Sequence, residues 1–315
     1  MYNVVFFDDT IDIFSTFIVF VLSGYLINKT ANVFKATKTR ALGLYIWHSA
    51  FSLVYAFVSL IKASDSTTYY ISSKGIMPDF KIGTDAITYI AGIFTNGFGL
   101  SYLGVFMVFN IFGSIGLLAV DASLRHATVD KSGFVKFMAM LIVLLPSMSY
   151  WSGAIGKDSI AFMSTGLLLW ASIDLKQRYK LFFIAFFFMF IIRPHIAGIM
   201  LVAFSLSLLI NTMLPPLKKF FYLSILLFFL IIIIPIVFEY IGFNEIISIE
   251  SLKEYTNLRQ SYNLRGGGSI DISSMSFFLK LFTYLFRPLP YEAHSLLSLI
   301  SSIDNLFLLF IFILS

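Results

Sequence analysis

Cysteine is absent from the chain, which excludes disulfides, thiolate metal sites and a cysteine nucleophile while leaving the redox compartment open. Histidine is scarce too: the four residues are scattered and show no metal-ligand spacing, so no metal and no cofactor is expected. Charge is the third shortage. Only 12% of the residues are charged, about half the share in a soluble domain. What fills the space is apolar: 58% of the 315 residues are hydrophobic, which marks a polytopic membrane protein. The formal charge of +5 is small for this length. No nucleic-acid partner is expected, and the placement of the charges matters more than their sum.

The chain opens Met-Tyr-Asn-Val-Val-Phe-Phe-Asp-Asp, without a basic leader or a small-residue cleavage site after the first apolar run. That run is expected to stay as a span. Cutting the apolar stretches at charges leaves about nine candidate spans, within two, at 11–28, 41–61, 100–120, 134–151, 159–174, 181–194, 196–214, 220–241 and 295–315. The expected fold is all-α, a single integral membrane domain over 1–315 built as a transmembrane helical bundle.

Basic residues gather in alternate loops: Lys29, Lys35, Lys38 and Arg40; Arg125 and Lys131; Lys176, Arg178 and Lys180; Lys218 and Lys219. Such loops face the cytoplasm. The N-terminus is then outside and Ser315 inside, and 62–99 and 242–294 become outer loops. Asp85 to Phe98 is apolar but short and glycine-bearing, which suggests a re-entrant or interfacial piece. Ile246 to Leu258 reads as an amphipathic surface helix, and Phe277 to Phe286 as another interfacial segment.

The residues able to carry chemistry fall on that outer side. Lys157-Asp158-Ser159 stands where a helix begins, after Gly153 and Gly156. Free N–H groups and a lysine there suit a phosphate or diphosphate; the bland alternative is Asp158 or Ser159 as a simple N-cap with Lys157 reaching the headgroups. Arg193 follows only the apolar run Leu181 to Ile192, about 18 Å of helix, and so is expected below the outer surface unless it is in a tight hairpin touching lipid phosphate. Pro194 ends or kinks that helix, and His195 beside it is a proton acceptor at neutral pH. Trp151 precedes the glycines.

Arg265-Gly266-Gly267-Gly268 is a donor-rich loop able to wrap a phosphate, or a plain linker. Arg287, Tyr291, Glu292 and His294 put a cation, an aromatic, a carboxylate and an imidazole just before the last apolar run. Guanidinium forks suit diphosphates. Asp65 is an outer carboxylate able to activate a hydroxyl, though loop carboxylates are usually only solvated. Asp304, about ten residues into the last run, is costly unless paired. Asp8 and Asp9 imitate a paired-acid site, although charges near a terminus are more often solvated.

The order Asp65-Ser66-x-x-Tyr69-Tyr70, Trp151-Ser152 leading to Lys157-Asp158, Arg193-Pro194-His195, Gly266-Gly267-Gly268, then Phe286-Arg287-Pro288 with Glu292-x-His294 resembles the multi-pass O-antigen or capsule repeat-unit polymerases of the Wzy type and the related EpsG-like proteins. The resemblance implies glycosyl transfer at the outer face of the bacterial cytoplasmic membrane. The substrate would be an undecaprenyl-diphosphate-linked glycan, with membrane lipid around it and a chain-length regulator and a flippase as partners. It implies no metal.

In such a site Arg193, Arg287, Lys157 and Arg265 would neutralise the diphosphate leaving group. His195, Asp158 or Asp65 would accept the acceptor's proton. Trp151, Tyr291, Glu292 and His294 would line the sugar. Two other activities fit the residues: a GT-C transferase using a lipid-phosphate sugar, with Asp8-Asp9 or Asp65 as its acids, and a lipid-linked oligosaccharide flippase or transporter. A plain lipid-packing scaffold leaves Arg193 and Asp304 unexplained.

Overall fold

The computed structural model describes residues 4–62, 64–76, 79–210, 215–241, 272 and 275–314. Among these residues every regular element is helical. In chain order they are α1 (Thr10–Thr30), a short 3-10 turn (Ala31–Phe34), α2 (Lys38–Ile61), α3 (Asp65–Ser73), α4 (Thr84–Gly97), α5 (Tyr102–Ala127), α6 (Gly133–Val143) and α7 (Pro146–Ser152). They continue with α8 (Lys157–Ile173), α9 (Leu175–Ile192), α10 (Pro194–Ile210), α11 (Pro216–Ile241), α12 (Phe277–Phe286) and, past a 3-10 turn at Pro290–Glu292, α13 (Leu296–Leu314).

Polar residues at the boundaries set where the helices start. Asp9, Thr37, Ser64, Ser101, Ser132 and Asp174 each accept a backbone N–H from the first turn of α1, α2, α3, α5, α6 and α9, satisfying donors that have no partner inside the helix. Prolines open α7, α10 and α11, where a missing N–H costs nothing. Asp9 therefore caps a helix, and Asp8 pairs with Lys74 at 3.4 Å. The imitation of a paired-acid site dissolves into local structure.

Among the described residues, six helical stretches are long and apolar enough to cross a membrane: Thr10–Phe34, Lys38–Ile61, Tyr102–Ala127, Gly133–Ser152, Pro216–Phe238 and Leu296–Leu314. The count of nine is thus not reached on length and composition. α8 and α10 have 17 residues each, and α9 has 18 but takes Lys176, Arg178 and Lys180 into its first turns. The backbone leaves helical geometry at Arg178, with φ −115° and ψ 19°, and this kink leaves about 21 Å of continuous helix leading to Arg193, close to the length expected from the apolar run. The re-entrant candidate is a 14-residue helix, α4. The Phe277–Phe286 segment is a short apolar helix as expected, while Ile246 to Leu258 lies outside the described residues.

The chain forms two compact units. The first comprises residues 1–144 and 148–242, the second 145–147 and 243–315. In the first unit α5 is the axis: 83% of its most apolar stretch is buried, against 28% for α1 and 39% for α2. Phe106, Phe109, Leu117 and Leu118 are sealed within it, and α1, α2 and above all α8 pack around it. The α5–α8 contact is close because it is made by glycines. A Cβ on Gly116 would come to 2.9 Å from the Met163 backbone, and one on Gly166 to 2.6 Å from the Gly116 carbonyl oxygen. Small residues let helix backbones touch where apolar burial gives no drive between helices in lipid. α1 turns Ile11, Phe14, Phe17, Ile18 and Leu22 outward, the surface a bilayer would cover.

The second unit holds α12 and α13. Asp304 in α13 is 4% exposed and accepts the Ser147 backbone N–H at 2.7 Å. The carboxylate that looked costly is held by a donor, and Asn305 Nδ2 donates to the Pro288 carbonyl at 3.3 Å.

Candidate functional site

The segment between α7 and α8 is tied down from two sides. Ser52 on α2 donates to the Gly153 carbonyl at 2.6 Å, and Ser66 on α3 donates to the Ile155 carbonyl at 2.8 Å. Gly153 is needed for closeness, since a Cβ there would come to 2.8 Å from Ser52 Cβ. Gly156 is extended, with φ 172°, a conformation open to any residue. α8 then begins with no side-chain cap. Ser159 Oγ donates to the Gly156 carbonyl at 2.9 Å and so is not the N-cap, and neither is Asp158.

Both remaining polar residues of that first turn reach out to other helices. Lys157 Nζ donates to Thr84 Oγ1, the first residue of α4, at 2.7 Å. Asp158 Oδ1 accepts from Arg193 Nη2 at 2.6 Å, with the two side chains 55% and 33% exposed. Arg193 sits at the break between α9 and α10, at φ −143° and ψ 77°; Pro194 forces this break because its ring cannot follow a helical neighbour. One carbonyl near the broken end is reused: Ile191 O accepts the Gly83 N–H at 2.8 Å. The start of α4, the start of α8 and the end of α9 are thereby fastened together. His195 lies in the first turn of α10, two residues past Arg193 and half-buried.

An aromatic group adjoins this cluster. Tyr55, Tyr150 and Trp151 meet with ring centroids 4.8 to 5.9 Å apart, and Trp151 is 53% exposed. Tyr55 lies within electrostatic reach of both Asp65 and Asp158, which puts the exposed Asp65 at the head of α3 on the same end of the unit. Two cations, uncapped helix N–H groups and an exposed aromatic face suit a ligand that is anionic at one part and ring-shaped at another.

In the second unit Arg287 grips Glu292 with both arms of its fork, Nε to Oε2 at 3.1 Å and Nη2 to Oε1. The Leu289 N–H adds a third bond to the same carboxylate at 2.8 Å. Hydrogen bonding from Arg287 holds the Glu292 carboxyl below the usual range, helped by Leu289 against the opposing effect of burial. Arg287 is raised for the reciprocal reason. The pair braces the connection between α12 and α13, on which Tyr291 and His294 are exposed. Arg265 and Gly266 to Gly268 lie outside the described residues.

Hydropathy and spacing give no sign of Thr84, whose hydroxyl meets Lys157 from 73 residues away. They also miss a fully internal chain in which Asn110 Nδ2 donates to Ser49 at 2.7 Å, while His48 bonds Asn110 Oδ1 through Nδ1 and Ser152 Oγ through Nε2 at 2.9 Å. The serine, histidine and asparagine imitate a nucleophile, base and orienter. All three are buried and span α7, α2 and α5, so they act as a polar tie that seats the residues before Gly153. No family model, curated protein or solved structure matches the chain.

Proposed function

We propose that the chain polymerises undecaprenyl-diphosphate-linked oligosaccharide repeat units at the outer face of the bacterial cytoplasmic membrane. In this reading α8, α9 and α10 also cross the bilayer, as short spans packed against their neighbours. The N-terminus is outside and the C-terminus cytoplasmic. The observation that carries the proposal is the joining of Lys157, Asp158 and Arg193 at one end of the first unit, beside an exposed tryptophan.

The roles follow from what each group already holds. Lys157, Arg193 and the uncapped N–H groups of α8 receive the diphosphate, and Asp158 orients Arg193. Trp151, supported by Tyr55 and Tyr150, stacks on a sugar ring. The anomeric carbon leaves the diphosphate oxygen and bonds to the acceptor hydroxyl oxygen. The hydroxyl proton goes to His195 or Asp65, and the lipid diphosphate departs with the bonding pair. Arg287 has its fork filled by Glu292, so the diphosphate is assigned to Lys157 and Arg193. The GT-C alternative is left with Asp65 alone among the acids it could use, since Asp9 is a helix cap and Asp8 pairs with Lys74.

The test is the glycan ladder of cells lacking the gene, complemented with wild type or Arg193→Ala at equal expression. A ladder collapsed to one repeat unit, restored by wild type and not by the variant, is the expected outcome. Loss of every repeat unit on deletion would mean an earlier step, lipid-linked oligosaccharide transport or sugar addition, and would overturn the proposal.

A further inference from the structure

The most charged buried group of the first unit lies at the other end of α5. Asp121 is 1% exposed and sits two turns before that helix ends. Arg40, in the first turn of α2, donates Nε to both of its oxygens at 3.1 and 2.9 Å and Nη2 to Oδ1 at 2.6 Å. Arg125, one turn on, donates Nε to Oδ2 at 2.8 Å. Its other two nitrogens reach the carbonyls of Lys35 and Phe34 at 2.9 and 2.8 Å. The sequence placed Arg40 and Arg125 as plain loop charges. Both are instead helical residues turned onto one buried carboxylate.

A cavity of about 390 Å³ opens beside this cluster, within the roughly 300–1,000 Å³ of ordinary ligand clefts. Its polar wall is Arg40, Arg125, Asp121 and Lys136; its apolar wall includes Leu124, Met140 and Val143. Three cations face one carboxylate, so the cavity is basic. Arg125 is spent on Asp121 and the two carbonyls. Two donors are not: among the described residues neither Arg40 Nη1 nor Lys136 Nζ has a hydrogen-bond or ion-pair partner. Arg40 is nonetheless fixed in place by Asp121 and by Met140 Sδ at 3.0 Å, a preorganised donor at the rim of apolar walls.

We propose that this cavity binds the phosphate of an anionic glycerophospholipid, held between Arg40 Nη1 and Lys136 Nζ, with the lipid's glycerol and upper acyl carbons against Leu124, Met140 and Val143. The lipid source is favoured over free phosphate because the cavity sits where the candidate spans α2 and α5 end and half of its wall is apolar. Basic pockets between transmembrane helices take anionic headgroups in this way. Asp121 has a positioning role: it holds Arg40 with one edge of its guanidinium facing the cavity. The inference does not depend on the proposed polymerase activity.

The experiment uses the full chain, purified in detergent and exchanged into vesicle-derived lipid mixtures of palmitoyl-oleoyl phosphatidylglycerol or phosphatidylcholine, with bound lipid counted by native mass spectrometry. Wild type should retain phosphatidylglycerol in preference to phosphatidylcholine. Lys136→Gln should weaken that retention about fivefold, the worth of one cation near a lipid phosphate. Lys131→Gln, a neighbouring basic residue outside the cavity, should leave it unchanged. Lys136 is exposed, and an unaltered elution volume and helical spectrum would verify that the variant is folded. Equal retention of the two lipids, or equal effects of the two lysine variants, would overturn the proposal. Displacement of phosphatidylglycerol by millimolar inorganic phosphate, with no retention of lipid, would overturn the lipid assignment in favour of a free anion.

Discussion

At the scale of single residues, Arg193 and Asp304, which looked expensive in the sequence, and Asp121, which sequence reasoning passed over, are each held by a named donor or ion partner. Asp121 is the strongest case. Replacing it with Asn leaves two guanidiniums side by side without their counter-charge. Breaking a buried pair costs about 3–5 kcal/mol; with both arginines about a third exposed, the lower end applies, about 3 kcal/mol. Thermal unfolding in detergent should show the loss for Asp121→Asn, and a variant that melts with wild type would refute it.

Glu292 gives the pH-dependent case. Its carboxyl is held below its ordinary value of 4.5 by Arg287, so the brace is complete above that value and is lost as pH falls through the lower folded one. Amide exchange across 287–295 should therefore be protected at pH 7 and quicken below about 4.5 after correction for the intrinsic pH dependence of exchange. Glu292→Gln should remove that step. The clustering of Lys157, Asp158 and Arg193 was legible in the sequence, because a proline and a helix start mark the turns that carry them. Thr84 and the His48 tie were not, since a hydroxyl or an imidazole among apolar neighbours has no periodic signature.

At the scale of elements, boundaries were legible where a proline or a short apolar run marked them, as at α10 and α12, whereas α3 reads as loop because Asp65–Ser73 is polar and short. They were misread wherever charge was taken as an end. α5 continues through Asp121 and Arg125 because the two pair one turn apart. α9 starts before its basic residues, whose stems lie along apolar surface, but kinks among them at Arg178, so there the charges mark a break in the helix and not its start. The contact of α5 with α8 offers a direct check. Gly166→Ala pushes a methyl into the Gly116 carbonyl and should cost about 1–3 kcal/mol. Gly43→Ala, with nothing within 4 Å of the added carbon, should be neutral or stabilise by up to about 1 kcal/mol. Paired melting curves of the two variants measure both, and equal shifts would count against the close packing of α5 on α8.

At the scale of the whole molecule, hydropathy was enough to read an all-helical membrane protein, but the number of crossings was not recoverable from it. α8 shows why: it is short and carries Lys157 and Asp158 at its start, yet it is buried along α5 and need not present an apolar surface to lipid. Orientation rests on the basic loops, and reporter fusions decide it. A fusion after Lys38 or Lys180 should report the cytoplasm and one after Gly75 the outside; the reverse pattern would place the Lys157 and Arg193 end on the wrong side for an outer-face reaction.

The glycine seam between α5 and α8 has one more consequence. With backbone against backbone, α8 has no slack to tilt independently of α5, whereas α11 presents a long apolar face of which only 12% is buried. When bilayer thickness changes, a helix accommodates by tilting or by sliding its anchors. That peripheral helix is free to absorb the mismatch, leaving the start of α8 at Lys157 in a fixed register on α5 whether the surrounding acyl chains are long or short.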